Sequence, residues 1–360
     1  MIGRPRAVGR ARCAVGRAER AVGRVARAVG RARRGVVRRR RAVAAFLAGS
    51  LAVAVLGGCA SFEDQRGSWN GGVITVATGP TTGGFYQVGG GYADAINRHV
   101  KGYEAVVAPT AGSADNLLRL GTGDANVALT FADVAVDALR GEGTFAGPPR
   151  RICALAAPYR SYAHLIVRTD RKINKIDDLR GKRISTGAPN SGTEFFALRL
   201  LRAAGIDPDR DIVRKSLSLP ATTSAMAAGT LDALFWSSGL PTVGITGLLG
   251  SAPGKVKFLP LDPLLAEMER AYPGTYVPTV IPTDTYQLAA EVPTIGVNNL
   301  IVVDESMPEQ LAYELTKLIF VHQKELAGAH PEWSNAQRDI AIQTGAVPLH
   351  PGAQRYYREG

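Results

Sequence analysis

The chain has 360 residues, and its 43 lysines and arginines against 31 aspartates and glutamates give a formal net charge of +12. Residues 1–58 hold 15 of the basic residues and one acidic residue, whereas the rest of the chain holds 28 basic and 30 acidic residues, a net charge of −2. The basic surplus therefore belongs to an N-terminal leader, and the remainder has no charge excess with which to attract nucleic acid.

The leader ends in a secretory signal. Residues 1–35 are a low-complexity repeat of Ala, Val, Gly and Arg, and we expect translation to begin near Val36 or Val37. Four arginines at 38–41 precede an apolar run at 42–56, which small residues follow, as is typical of a signal peptide. The run has 15 residues, fewer than the roughly 20 of a transmembrane helix.

Cys59 follows this run. The Leu-Gly-Gly-Cys segment that ends at Cys59 resembles the lipobox of bacterial lipoproteins, in which the cysteine is acylated and becomes the new N-terminus. We therefore expect 1–58 to be removed, Cys59 to carry a lipid anchor, and 59–72 to form a tether. The mature protein is then extracytoplasmic, in the periplasm or on the outer face of the cell membrane.

Beyond the tether, apolar strands alternate with loops and helices. The first block predicts strands at 73–78, 105–108, 126–130, 152–156 and 164–167, with helices at 85–99 and up to residue 120. The second block predicts strands at 183–187 and 233–236 and helices at 176–179, 193–204, 223–229 and 243–249. A third block returns with a strand at 294–303 and helices at 309–326 and 333–344. This alternation predicts an α/β fold with a mainly parallel sheet.

Four loops rich in Gly, Ser and Thr join a strand to the start of a helix, at 79–84, 110–116, 188–193 and 237–241. Ligands of open α/β sheets bind at the carboxyl ends of strands, where helix N-termini offer free N–H groups that suit an anion. Ordinary helix capping explains any one such loop. Four loops in two blocks predict a site for an anion or a zwitterion.

Signatures of catalysis and of cofactor binding are missing. Gly79 and Gly84 have P-loop spacing, but Phe85 and Tyr86 follow where that motif needs Lys and Ser or Thr. The five histidines lack metal-site spacing, and Cys153 lies in an apolar strand, where a thiol is commonly a core residue. We therefore expect no metal, no cofactor, no intrachain disulfide and no enzymatic activity.

Several motifs carry a resemblance to a known family. They include 74–79 (ITVATG), 83–86 (GGFY), 110–116 (TAGSADN), 190–194 (NSGTE), 232–241, 277–286 and the tail 350–360 (HPGAQRYYREG). In this order they resemble the TAXI-family solute receptors of tripartite TRAP transporters over about 73–360. The resemblance implies a type II periplasmic-binding-protein fold, with lobe one at 73–168 and 278–360 and lobe two at 169–277, joined by a hinge.

The resemblance also implies a set of ligand-binding residues in the cleft. Lobe one contributes Thr82, Gly84, Tyr86, Ser113 and Asn116; lobe two contributes Ser191, Gly192, Thr193, Ser238, Gly239 and Pro241. Backbone N–H and hydroxyl groups are expected to hold a carboxylate, while Tyr86 or Trp236 covers the carbon skeleton of the solute. Core packing is the other interpretation of these two aromatic residues. Phe85 and Trp236 depart from the family pattern.

The resemblance implies a lipid-anchored receptor that passes a small anionic or zwitterionic solute, glutamate-like or a dicarboxylate, to the permease subunits of an ion-coupled TRAP transporter. One alternative is the receptor of an ABC importer or of a sensory system, since such receptors have overlapping folds. Another is an enzyme on the same scaffold, which needs a reactive His or Cys that the cleft loops lack.

Overall fold

The computed structural model describes residues 69–359. The leader, the apolar run, Cys59 and most of the tether lie outside residues 69–359. The described residues all belong to one structural unit. In the part of the chain that the structure describes, no helix has both the length and the apolar character of a membrane span.

Ten strands form one mixed sheet. In chain order they are Val73–Ala77 (β1), Glu104–Ala108 (β2), Val127–Phe131 (β3), Ile152–Arg168 (β4), Arg183–Ser185 (β5), Val213–Lys215 (β6), Ala233–Ser238 (β7), Val256–Leu259 (β8), Tyr276–Ile281 (β9) and Val292–Asp304 (β10). Their order in the sheet is β2-β1-β3-β10-β4-β7-β5-β6, with β8 paired to β4 and β9 paired to β10.

Twelve α-helices cover the sheet within residues 69–359. They are Gly84–His99 (α1), Ser113–Thr122 (α2), Ala132–Arg140 (α3), Gly192–Ala203 (α4), Leu219–Ala227 (α5), Val243–Ser251 (α6), Leu265–Ala271 (α7), Thr283–Tyr286 (α8), Glu309–Val321 (α9), Gln323–Ala329 (α10), Arg338–Ala341 (α11) and Pro351–Arg358 (α12). The 3-10 turns include Ile176–Leu179 and Pro331–Asn335. Left-handed glycines, Gly123 and Gly141, end α2 and α3.

The sheet is parallel on its two sides and antiparallel in its centre, not mainly parallel as predicted. β1 pairs in parallel with β2 and β3, and β5 with β6 and β7. The central strands β4 and β10 pair antiparallel with each other and with their other neighbours. In the returning segment (278–360), β10 enters between β3 and β4 and forms antiparallel pairs with both of them.

β4 and β10 run through both sides of the sheet. β4 pairs with β10 over its first part and with β7 over its last part, and β10 pairs with β9 before it pairs with β3. The prediction of two separate strands at 152–156 and 164–167 is wrong, because Pro158, Arg160 and Ser161 interrupt the apolar pattern without interrupting the strand. These two strands form the continuous connection between the sides.

The helices of the return segment (278–360) are shorter than predicted. The helix expected at 309–326 is two helices that meet at His322, and 333–344 contains a 3-10 turn and the short α11. Trp333 is fully buried and stacks on Tyr92 of α1, with 5.8 Å between ring centroids. The Tyr92 hydroxyl donates to the Leu315 carbonyl at 2.8 Å. These contacts fix the return segment against α1.

Candidate functional site

The loops that follow β1, β2, β5 and β7 meet around a cavity of about 350 Å³. Helices α1, α4 and α6 begin there, and their first residues Gly84, Gly192 and Val243 all line it. A larger groove of about 830 Å³ lies between β8 and residues 284–293, but no long helix begins there. The smaller cavity is therefore the candidate site.

The structure places eight of the eleven predicted site residues in the lining of this cavity. They are Thr82, Gly84, Ser191, Gly192, Thr193, Ser238, Gly239 and Pro241. Trp236, expected to cover the solute, also lies in the lining. The two sides of the sheet come close here. Gly192 belongs to one side and Phe131 and Ser113 to the other, and a Cβ atom on Gly192 would lie 2.6 Å from both Phe131 Cδ2 and Ser113 Oγ. Only glycine fits at position 192 without displacing these groups.

Three predicted residues, Tyr86, Ser113 and Asn116, lie outside the lining. Asn116 is fully buried; its amide donates to the carbonyls of Thr78 and Leu129, and its oxygen accepts from the Thr110 hydroxyl. It therefore connects β1, β2 and β3 and has no free group for a ligand. This corrects the expectation of a ligand contact.

Ser113 and Tyr86 lie outside the cavity lining for different reasons. The Ser113 hydroxyl is fully buried and accepts from the Phe131 N–H at 3.1 Å, so its polar atom supports the backbone below the cavity. On α1, Phe85 faces the cavity in place of Tyr86, and its ring meets Phe131 edge-on at 5.6 Å. The phenyl ring of Phe85 supplies the apolar surface that the sequence assigned to Tyr86.

Within residues 69–359, the lining contains no lysine or arginine. The first N–H groups of a helix have no acceptor within the helix, and the helix dipole adds partial positive charge at that end. Three helix starts on one cavity therefore favour a small anionic group, which the protein can hold without a cationic side chain.

Among the described residues of the lining, Tyr159 and His330 are titratable. Burial, followed by the negative charge of Glu332, raises the pKa of Tyr159 well above its usual value, so its hydroxyl stays protonated. That hydroxyl is buried and has no hydrogen-bond partner within residues 69–359. Burial lowers the pKa of His330, which favours its neutral form. Tyr159 thus offers an uncommitted donor at the cavity.

A hydrogen-bonded chain holds the start of α6. The Thr242 N–H donates to the Tyr286 hydroxyl at 2.8 Å, and this hydroxyl lies 3.1 Å from His164 Nε2. His164 Nδ1 lies 2.9 Å from the Tyr162 carbonyl, which can only accept. Nδ1 therefore carries the proton, and Nε2 accepts from Tyr286. Burial lowers the pKa of His164 to about 4, so this neutral arrangement persists at pH 7.

Glu332 supports the lining from behind. Its side chain is buried, accepts from the Leu240 N–H at 2.9 Å and accepts from the Asn335 amide at 3.0 Å. A Cβ atom on Gly239 would overlap its carboxylate. Burial is the main cause of the raised pKa of Glu332, which the two hydrogen bonds partly offset. The return segment thus determines the position of residues 239 and 240 of the cavity loop.

Two substitutions of Glu332 distinguish the effect of its charge on stability from the effect of its hydrogen bonds. Because its pKa is raised on folding, its stabilising effect is present below its unfolded pKa and is lost as the pH rises through its folded pKa. We expect Glu332→Gln, which still accepts from Leu240, to weaken this loss. Glu332→Ala is expected to lower the unfolding free energy by about 1–3 kcal/mol at pH 4, because the Leu240 N–H loses its acceptor, and by less at pH 8, where the stabilising effect of the raised pKa of Glu332 is lost. Urea unfolding between pH 4 and pH 8 measures both effects; identical pH profiles for wild type and Glu332→Gln contradict this account.

Several lining residues were not predicted from the sequence. Phe131, Tyr159 and Ser161 come from strands, Thr242 directly precedes α6, and His330 comes from the return segment. The polar interruption at 158–161 is a signal that could have indicated Tyr159 and Ser161. Nothing local distinguishes His330, because packing of Trp333 against α1 brings it to the cavity.

A family model described as the NMT1-like family matches residues 76–360. Among solved structures, PhnD1 from Prochlorococcus marinus in complex with methylphosphonate has 13% identity and a TM-score of 0.50, with 74% of this chain and 91% of that chain covered. The periplasmic aliphatic sulphonate binding protein SsuA from Escherichia coli has 12% identity, a TM-score of 0.45 and coverage of 80% and 82%. A binding protein component of an ABC phosphonate transporter from Pseudomonas aeruginosa has 14% identity and a TM-score of 0.48, with 74% of this chain and 80% of that chain covered.

These comparisons confirm the predicted fold class and correct the predicted family. The fold is the α/β periplasmic-binding-protein fold, here with a mixed sheet. The expectation of a TAXI-family receptor of a TRAP transporter is contradicted, because the family model that matches residues 76–360 is the NMT1-like one. The TRAP permease is therefore withdrawn as a partner.

Proposed function

The chain belongs to the NMT1-like family, and from this premise we propose that it is an extracytoplasmic receptor that binds one small anionic or zwitterionic solute. The receptor delivers this solute to an ABC-type importer, the transporter alternative that the sequence leaves once a TRAP permease is set aside. PhnD1, which shares the fold, is described in complex with methylphosphonate. A phosphonate, sulfonate or carboxylate is the corresponding class of solute for this chain.

One observation carries the proposal: three helix starts and an unpartnered tyrosine hydroxyl converge on one cavity without a cationic side chain. N–H groups hold the oxygens of the solute, and Tyr159 donates to one of them. Phe85, Phe131 and Trp236 contact its carbon skeleton. The volume of about 350 Å³ is at the lower end for ligand pockets and suits a solute of few atoms.

The proposed location and the lack of catalysis rest on the sequence together with the site. The signal at 38–58 and Cys59 support export and a lipid anchor. Among the described residues, the cavity lining contains no cysteine, and Cys153 is half-buried in β4 outside it. The lining does contain His330, but its Nδ1 accepts from the Glu332 N–H at 3.3 Å and the lining offers no cysteine for it to activate. The receptor binds its solute by noncovalent contacts and does not transform it.

The test is thermal unfolding of protein that has been denatured and refolded to remove any bound solute. A panel of short phosphonates, sulfonates, carboxylates and amino acids is added one at a time. We expect a member of the anionic classes to stabilise the protein, by about 2.7 kcal/mol when present at 100 times its dissociation constant. A panel without any stabilising solute contradicts the proposal.

Two matched variants locate the effect. Ser238 lies in the lining, and its hydroxyl oxygen would lie 3.3 Å from a Cβ atom on Gly84, so Ser238→Trp is expected to fill the site and remove stabilisation by the solute. Ser251 is exposed at the opposite end of α6, so Ser251→Trp is expected to retain it. Equal stabilisation of wild type and Ser238→Trp places the solute elsewhere and refutes this site.

A further inference from the structure

Two histidines and a glutamate meet on the surface away from the cavity. His99 is the last residue of α1, His322 joins α9 to α10, and Glu325 lies in the first turn of α10. One ligand atom from each lies within 4.8 Å of those of the other two. His99 Nε2 is 2.8 Å and His322 Nδ1 is 3.7 Å from the same carboxylate oxygen, Glu325 Oε2. Their separation in sequence explains why histidine spacing did not reveal the cluster.

We propose that His99, His322 and Glu325 bind a zinc ion. Zinc takes imidazole nitrogens and carboxylate oxygens at about 2.0–2.2 Å in a tetrahedron, which separates neighbouring ligand atoms by roughly 3.3 Å. The two distances to Glu325 Oε2, 2.8 Å and 3.7 Å, lie on either side of this value. Three protein ligands leave the fourth position to water. Imidazole and carboxylate ligands together suit zinc better than magnesium or calcium, which prefer oxygen alone.

The helices that carry the ligands are held in place before an ion binds. The imidazole rings are stacked with centroids 3.6 Å apart and planes 14° apart, so one ring turns out of the stack to let both nitrogens point at one ion. Packing of Trp333 on Tyr92 and burial of Leu326 fix α1 relative to α10. Each ligand side chain is about 30% exposed, so an ion can enter from solvent.

Arg98 orients the glutamate. Its guanidinium contacts Glu325 Oε1 at 2.7 Å, whereas both histidines face Oε2. The carboxylate thus uses one oxygen for the arginine and keeps the other for the ion, as outer partners of metal ligands commonly arrange. Binding replaces the contact between His99 Nε2 and Glu325 Oε2 and leaves the arginine contact intact. The ion ties α1 to the segment that brings His330 and Glu332 to the cavity.

Calorimetric titration of zinc chloride into tag-free, chelator-treated protein at pH 7.5 tests the site. We expect one zinc ion per chain and no binding of magnesium under the same conditions. His99→Ala and His322→Ala are each expected to raise the dissociation constant at least tenfold. Lys324→Ala, an exposed neighbour on α10, is the matched control and is expected to leave it unchanged.

Thermal unfolding in chelator first establishes that each variant is folded, and the double variant His99→Gln, His322→Gln replaces any that is not. Absence of saturable zinc binding by the wild type overturns the proposal. Wild-type affinity in the folded double variant also overturns it, because zinc then binds at other groups.

Discussion

Replacing Arg199 by alanine is expected to lower the free energy of unfolding by about 3–5 kcal/mol, because it leaves two buried carboxylates without their cation. The Arg199 side chain on α4 is 8% exposed and forms ion pairs with Asp133 and Asp137 of α3, which are 0% and 8% exposed. Two tyrosine hydroxyls complete the cluster: Tyr276 donates to Asp133 and Tyr272 donates to Asp137, each at 2.8 Å. The guanidinium carbon also lies 4.5 Å from the centre of the Tyr272 ring.

The cluster joins the two sides of the sheet, since α3 follows β3 on one side and α4 follows β5 on the other. Urea unfolding of Arg199→Ala measures the loss, and Arg202→Ala is the control, because Arg202 lies on the same helix and is exposed. The triple variant with Arg199→Met, Asp133→Asn and Asp137→Asn is expected to recover part of the stability, since it removes the unpaired charges. A loss below about 1 kcal/mol in Arg199→Ala contradicts this account.

Acidification from pH 7 to pH 4 is expected to remove about 3 kcal/mol of stability through His164 alone. Burial lowers its pKa to about 4 in the folded protein, whereas in the unfolded chain the imidazole titrates near its ordinary value of 6.5. Below pH 6.5 the unfolded state therefore binds a proton that the folded state does not. The contribution of His164 to the free energy of unfolding is complete above pH 6.5. It is lost progressively as the pH falls towards the pKa of about 4 that His164 has in the folded protein.

The readout is the difference in pH dependence between wild type and His164→Gln in urea unfolding at pH 7.0, 6.0, 5.0 and 4.5. The variant has no imidazole at this position, so its stability is expected to fall less steeply over this range, whatever its stability at pH 7. Parallel curves show that His164 titrates normally in the fold and refute the prediction. Direct NMR titration of the imidazole gives the same answer without a variant.

Local sequence patterns predicted the regular elements that have local causes. The strand at β1, the helix at α4 capped by Ser191 and the four small-residue loops follow from apolar runs and turn residues. The carboxyl ends of parallel strands lie at one edge of a sheet, so the meeting of these loops also follows from the strand pattern.

Features that depend on contacts between distant segments were not predictable from such patterns. Asn116 has the residue type of a ligand contact, and only the neighbouring carbonyls of Thr78 and Leu129 show that its amide is already bound. The pairing of Arg199 with Asp133 and Asp137 requires knowledge of how α3 and α4 pack. The family prediction failed for a related reason: short loop motifs are common to many binding proteins and discriminate poorly among their families.

The interleaving of β10 constrains how the protein is made. β3 pairs with β1 on one edge, but its other edge is satisfied only by β10, about 170 residues later in the chain. The first part of β4 also depends on β10. A ribosome that has released residues up to 290 has therefore produced two strands with unpaired edges, which are prone to pair with other chains. Biogenesis of this protein consequently requires that the nascent chain be kept from aggregating until about its last fifth emerges.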